Sequence, residues 1–214
     1  MIALDHIAVV APDVEAGEAW VRDVLGLEPQ PGGKHPEMGT YNRLMRLGAD
    51  LFLEIIAADP AAQRGPHRRW YGLDDPVQVR RDWRDGRRLR AWVARTDATL
   101  ATDAFSKHAA LFGTPMQISR GDRRWLFSVR ADGSLPADGA LPHLIDWGEA
   151  GTPAPAMADL GCRLAGLVIE TPEPKFVATT LGELGIAEKP LVRLGKTVRL
   201  FAMIDTPHGV RLLS

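Results

Sequence analysis

With 214 residues, the chain is long enough for one large domain or two small ones, with a sizeable buried core. A composition of 45% hydrophobic and 25% charged residues is that of an ordinary globular protein, and a formal net charge of -1 excludes a global field pulling it toward nucleic acid or a membrane surface. No apolar run approaches the ~20 residues that span a bilayer. The first residues carry no basic stretch followed by an apolar one, and Cys162 is the sole cysteine, so a reducing, cytoplasmic setting is expected.

The segment from Ala3 to Ala11 alternates as a strand, with Leu4, His6, Ala8 and Val10 on one face and Ile7 and Val9 on the other. Pro12-Asp13 breaks it, Asp13 serves as an N-cap, and Ala16, Ala19, Trp20 and Val24 recur at helical spacing up to a stop at Gly26. A short strand near Pro29 and two further strands, Tyr41 to Arg46 and Leu51 to Ala57, complete a β-α-β-β-β unit. The order recurs twice. Leu89 to Ala94 is a strand, Thr96-Asp97 the break and Ala98 to Phe112 a helix; strands follow at Met116 to Ser119, Arg124 to Arg130 and Pro142 to Trp147. Cys162 to Glu170, a helix from Glu173 to Leu184, and strands at Leu191 to Leu194, Thr197 to Ile204 and Val210 to Leu213 form the third copy.

The expected fold class is therefore α+β, with repeated βαβββ units in place of a doubly wound parallel sheet. Residues 1–148 hold a pair of units (1–58 and 87–148) joined by an Arg-rich, weakly periodic connector at 59–86, and residues 159–214 hold a third, βαβββ-like unit. The connector's arginines are interleaved with aspartates and read as a solvated, salt-bridged stretch. Trp70, Tyr71 and Trp83 among them keep open an alternative, a docking surface for an acidic partner.

Leu4-Asp5-His6-Ile7-Ala8-Val9-Val10-Ala11-Pro12-Asp13 resembles the first strand and turn of the vicinal-oxygen-chelate superfamily, which includes glyoxalases, bleomycin-resistance proteins and extradiol dioxygenases. The stretches from Gly33 to Leu44, from Leu53 to Pro60 and from Pro142 to Gly148 are similar to its glyoxalase-like branch. The resemblance implies paired units curled into an open barrel around a divalent metal, such as Zn, Ni, Mn or Fe, that chelates adjacent substrate oxygens. Carried over by position, His6 and Glu54 fall on the ligand positions of the first and last strands of unit one, and Asp146 on the last strand of unit two. Arg90 stands where a second histidine would be, and unit three offers only Ala165 and Ser214, so the four-ligand set of classical glyoxalases is absent.

The residues themselves support a polar pocket. A glutamate amid Leu51-Phe52-Leu53 and Ile55-Ile56 is costly to bury without a partner, and strand parity points it the same way as Phe52 and Ile56. A His6–Glu54 hydrogen-bonded pair without metal is the alternative to a chelate. Glu54, His35 and Arg43 are the catalytic candidates, and Asn42, Arg43, Arg90 and Trp147 the substrate contacts. Of the adjacent Asn42 and Arg43, one points outward if the strand is regular. His143 is out of phase with Asp146 and reaches the pocket only through a bulge.

Two functions follow: a lyase, isomerase or dioxygenase acting on a small carbonyl or anionic substrate, or a non-catalytic binder of the same fold. Three units in a fold that normally pairs them leave one sheet unpartnered, which predicts a homodimer.

Overall fold

The computed structural model describes residues 2–63, 65, 67–96 and 108–214. Its larger sheet has eight strands in the order β2-β3-β4-β1-β5-β8-β7-β6. These are β1 (Ile2–Val10), β2 (Gln30–His35), β3 (Thr40–Arg46), β4 (Phe52–Ala58), β5 (Leu89–Thr96), β6 (Thr114–Arg120), β7 (Arg123–Val129) and β8 (His143–Asp146). In each unit the first strand pairs in parallel with the last, β1 with β4 and β5 with β8, and the two units join through antiparallel β1–β5. The sheet curls into an open half-barrel, so its two faces meet different environments.

Alternation sorts the side chains between those faces. Ile7, Val9, Leu53, Ile55, Trp92 and Ala94 enter the core on the convex side, whereas Ala8, Val10, Ile56, Ala91 and Val93 line the concave side. Helix α1 (Val14–Leu25) lies on the convex face, started by Asp13, whose carboxylate accepts from the Ala16 N–H at 2.7 Å. The stripe it buries is Val14, Gly17, Val21 and Leu25, one position off the expected Ala16, Ala19, Trp20 and Val24. Gly17 explains the shift: a Cβ there would stand 2.4 Å from a methyl of Ile55, so the bare backbone sits directly on the sheet. Of the expected helix at 98–112, the last turn (α3, Ala109–Phe112) lies among the described residues and the rest lies outside them.

The connector is more ordered than its composition suggested. Asp75 accepts from the N–H groups of Val77 and Gln78 and Pro76 sits at the first position of helix α2 (Pro76–Arg84), both ordinary start signals. Trp70, Tyr71 and Leu73 are buried in the concave core. The arginines split into two groups. Arg87 and Arg90 both bind Asp82 and Asp138, tying α2, β5 and the loop before β8 together, while Arg80, Arg81 and Arg84 are exposed. Asp82 is buried with two guanidinium partners, so Asp82→Ala should cost about 3 kcal/mol, read as a lower urea midpoint at unchanged slope.

The third unit departs from the expected plan. Its strands β9 (Arg163–Thr171), β10 (Leu191–Leu194), β11 (Arg199–Thr206) and β12 (Gly209–Leu213) form a separate sheet in the order β10-β9-β11-β12, with helix α4 (Pro174–Glu183) after β9. Here the first strand lies between the second and third, unlike β1 and β5. One face of this sheet, with Leu167, Ile169, Leu200, Ala202, Ile204 and Leu213, shares a continuous core with Ile7, Val21, Leu25 and Trp92. The sheet thus finds its partner within the chain, on the convex side of the barrel, and the premise from which a dimer was expected does not hold for that face. Its outer face exposes Leu191, Met203, Val210 and Leu212.

Candidate active site

The concave side of the half-barrel narrows to a cavity of about 30 Å³ inside a cleft whose empty space, mouth included, is about 400 Å³. β1 contributes His6, β2 His35, β3 Asn42 and Leu44, β4 Phe52 and Glu54, and unit two adds Arg120, Trp125, Phe127, Ile145 and Trp147. The connector supplies Trp70 and Tyr71.

His6 is held from behind. Its Nδ1 lies 2.6 Å from Asp5 Oδ1, so an ionised Asp5 fixes the proton on Nδ1 and leaves Nε2 as an acceptor toward the cavity. A register shift between Leu4 and His6 in the β1–β5 pairing brings the two neighbours to this arrangement, and Asp5 also accepts the Trp147 indole N–H at 3.0 Å. Phe52 stacks on the His6 ring at 4.4 Å.

Glu54 is fixed firmly at one oxygen and held only by long contacts at the other. Oε1 accepts from the Asn42 amide at 2.6 Å, and the Asn42 oxygen in turn accepts the Gly33 N–H at 2.8 Å. Oε2 faces His6 Nε2 at 3.6 Å and the Tyr71 hydroxyl at 3.4 Å, and that hydroxyl is also 3.4 Å from His6 Nε2. These three separations are long, so one donor and two acceptors converge and hold one another only weakly. Tyr71 reaches the spot from a backbone at φ 57°, the left-handed region that a tyrosine rarely adopts. Burial, and then the neighbouring Glu54, push its hydroxyl pKa well above the usual phenol range, so it serves as a neutral donor.

His35 is buried, with Nδ1 3.1 Å from the Thr40 hydroxyl and its ring edge-on to Trp70 and Trp125. Burial lowers its pKa to about 4, which leaves it a neutral imidazole at physiological pH. His143 is lowered to about 4 for the same reason: it stacks on Phe127 and packs edge-on against Tyr71, with Nδ1 on the Ser128 carbonyl and Nε2 without a partner.

The predicted residues divide accordingly. His6, Glu54, His35, Asn42 and Trp147 come together; Arg43, Arg90 and Asp146 do not. Arg43 faces helix α1 and binds Glu18 at 3.1 Å, the outward partner of an inward Asn42. Arg90 sits at a register shift of β5, bound to Asp82 and Asp138 in the wall of a second cavity of about 560 Å³. Asp146 lies on the outer side of β8 and accepts from the Gly148 N–H, because the strand turns Ile145 to the cavity. Sequence reasoning missed Asp5, Tyr71 and Arg120. The alternation Met116, Ile118, Arg120 along β6 could have found the last; nothing local marks the others.

A divalent metal does not fit this donor set. Among the described residues no three His, Cys, Asp or Glu side chains come together to hold one. His6 and Glu54 give two donors, whereas catalytic zinc sites use three protein ligands. Asp146, the expected third, is on the wrong side of its strand.

A family profile described as a glyoxalase-like domain matches residues 4–185. The chain belongs to the glyoxalase-like domain family. The half-barrel of this glyoxalase-like protein is the vicinal-oxygen-chelate fold that the first strand and turn suggested. A hypothetical protein from Staphylococcus aureus is similar over 100% of this chain and 99% of its own, with 13% identity and a TM-score of 0.63. Methylmalonyl-CoA epimerase from Streptomyces coelicolor, in complex with 2-nitronate-propionyl-CoA, matches at 17% identity over 70% of this chain and 96% of its own, with a TM-score of 0.41. The same enzyme from Mycobacterium tuberculosis matches at 15% identity over 69% and 89%, with a TM-score of 0.42. No curated protein matches the sequence significantly.

Proposed function

We propose that this glyoxalase-like protein is a small-molecule enzyme that moves a proton next to a carbonyl group, the step common to lyases and isomerases of carbonyl compounds. The observation that carries the reading is the convergence of Glu54 Oε2, His6 Nε2 and the Tyr71 hydroxyl, 3.4–3.6 Å apart and joined only by long contacts, in the wall of one cavity. Glu54 takes the proton from carbon, the electron pair of that C–H bond moves into the carbonyl, and Tyr71 donates a hydrogen bond to the oxygen that gains charge. His6, oriented by Asp5, accepts and returns the proton of an adjacent hydroxyl. Trp125 and Trp147, 5.2 Å apart, wall the mouth. A sequestering role would use the same cleft, whose empty space, mouth included, is about 400 Å³, and differs in predicting binding without exchange of carbon-bound hydrogen.

Washout of carbon-bound hydrogen into deuterated water, followed by proton NMR over a panel of 2-oxo acids and 2-hydroxy aldehydes, tests the reading. Acceleration of at least one member over buffer is expected, and its rate should be unchanged after exhaustive chelation. A panel that exchanges no faster than in buffer overturns proton transfer on these substrates; a rate that collapses on chelation and returns with added metal overturns the metal-free site.

A further inference from the structure

Three arginines near the concave core are neutralised within the chain: Arg69 by Asp74, and Arg87 and Arg90 by Asp82 and Asp138. Arg120 is different. It closes β6, lines the cavity and is half-buried, yet its guanidinium makes no hydrogen bond or ion pair among the described residues. Of the nearby Glu37 carboxylate, Oε1 accepts from both the backbone N–H and the hydroxyl of Ser119, while Oε2 is buried without a hydrogen-bond partner and does not reach the guanidinium. Arg120 is nevertheless placed with care. Gly33 lies across from it on β2, where a Cβ would come within 2.8 Å of Arg120 Cδ and 3.0 Å of Nη1, so the stem runs over bare backbone.

A second donor in the same cavity wall is unmet. Trp70 lines the cavity and its indole Nε1 is buried without an acceptor, which leaves a desolvated N–H that folding alone does not compensate. The neutral ring of His35 lines the same cavity, 5.2 Å from Trp70. An unpaired fork of N–H donors and an unpaired indole N–H in the lining of one aromatic-walled cavity are complementary to a planar, negatively charged group with two acceptor oxygens.

We propose that the cavity anchors a carboxylate on Arg120 and Trp70, so that the substrate is a small carboxylic acid with its carbonyl directed to Tyr71 and Glu54. Resting on the reading of this cavity as a substrate site, the proposal narrows the class to 2-oxo and 2-hydroxy acids of a few carbons, within a cleft whose empty space, mouth included, is about 400 Å³.

The test is calorimetric titration of 2-oxobutanoate and of its amide, which has the same shape without the charge. The wild-type protein should bind the acid at least about 10-fold more tightly than the amide, the usual worth of a charge-assisted bond. Arg120→Met should weaken the acid about 10- to 100-fold and leave the amide unchanged, with Arg120→Lys between. Gly33→Ala, which displaces the arginine stem without touching its charge, should lower the preference in the same direction and serves if Arg120→Met does not fold. Acid preference in the wild type without hydrogen washout would overturn the chemistry and leave the anchor standing. Equal affinity for acid and amide in the wild type, no binding of either, or a preference that survives both Arg120→Met and Gly33→Ala would overturn the anchor.

Discussion

Lowering the pH from 7 to 4 is expected to remove about 6 kcal/mol of folding stability, most of what a domain of ordinary stability possesses. The cause is His35 and His143, buried and neutral, each with a pKa brought from 6.5 to about 4 chiefly by loss of solvent. Between those values the unfolded chain binds protons that the folded chain refuses, so stability rises with pH through the window and is lost as pH falls through it. Each histidine contributes about 3 kcal/mol by pH 4, from 1.36 kcal/mol per pH unit. Glu37, Asp59 and Asp132, whose carboxyl pKa values are lowered, act in the same direction but only at more acidic pH. Urea melts at pH 7, 5.5 and 4 measure the effect, and His143→Leu should remove about half of the slope between pH 6.5 and 4. A wild-type stability that is flat across that window would mean that water reaches both rings and that the concave core is less closed than its geometry indicates.

The strands were legible because one face of each meets an apolar core, and a period of two leaves its mark wherever that is so. Phe52, Glu54 and Ile56 share a face in the sequence pattern and in the fold, and the His6–Glu54 meeting follows from that and from β1 pairing with β4. Legibility failed where the backbone departs from regularity. A register shift at Leu4/His6 brings Asp5 behind His6, a tyrosine in the left-handed region carries the connector into the site, and β8 is too short for its parity to be counted from its far end. Helix α2 was hidden by its own surface: Arg80, Arg81 and Arg84 crowd a nine-residue segment whose buried residues are Val79 and Asp82, although Asp75-Pro76 announced its start. The third unit shows the limit of element order as a guide. It repeats the β-α-β-β-β order of the others, yet its first strand pairs with the second and third, in a separate sheet that shares one core with the convex face of the half-barrel.

Glu54→Gln is expected to slow proton transfer about 10²- to 10⁴-fold, the range over which a positioned acid–base group acts, while leaving the thermal midpoint close to that of the wild type. The substitution keeps the shape of the side chain, and a carboxamide oxygen can still accept the Asn42 amide that Oε1 accepts at 2.6 Å, so the supporting chain through Asn42 to Gly33 survives. What is lost is the one oxygen left open to the cavity, replaced by an amide nitrogen that donates where an acceptor is required. Tyr71→Phe provides the contrast. Its ring still fills the space between Phe127 and His143, 6.0 and 5.0 Å away, but its hydroxyl no longer reaches the oxygen that gains charge, so turnover should fall without a change in affinity for a ground-state analogue. Single-turnover washout rates for the two variants, set beside their melting curves, separate a lost base from a lost fold. If Glu54→Gln retained the wild-type rate while Tyr71→Phe did not, the base would have to be His6 Nε2, the only other acceptor described at that point, and Asp5→Asn, which releases the imidazole from its fixed tautomer, would then be the variant to abolish exchange.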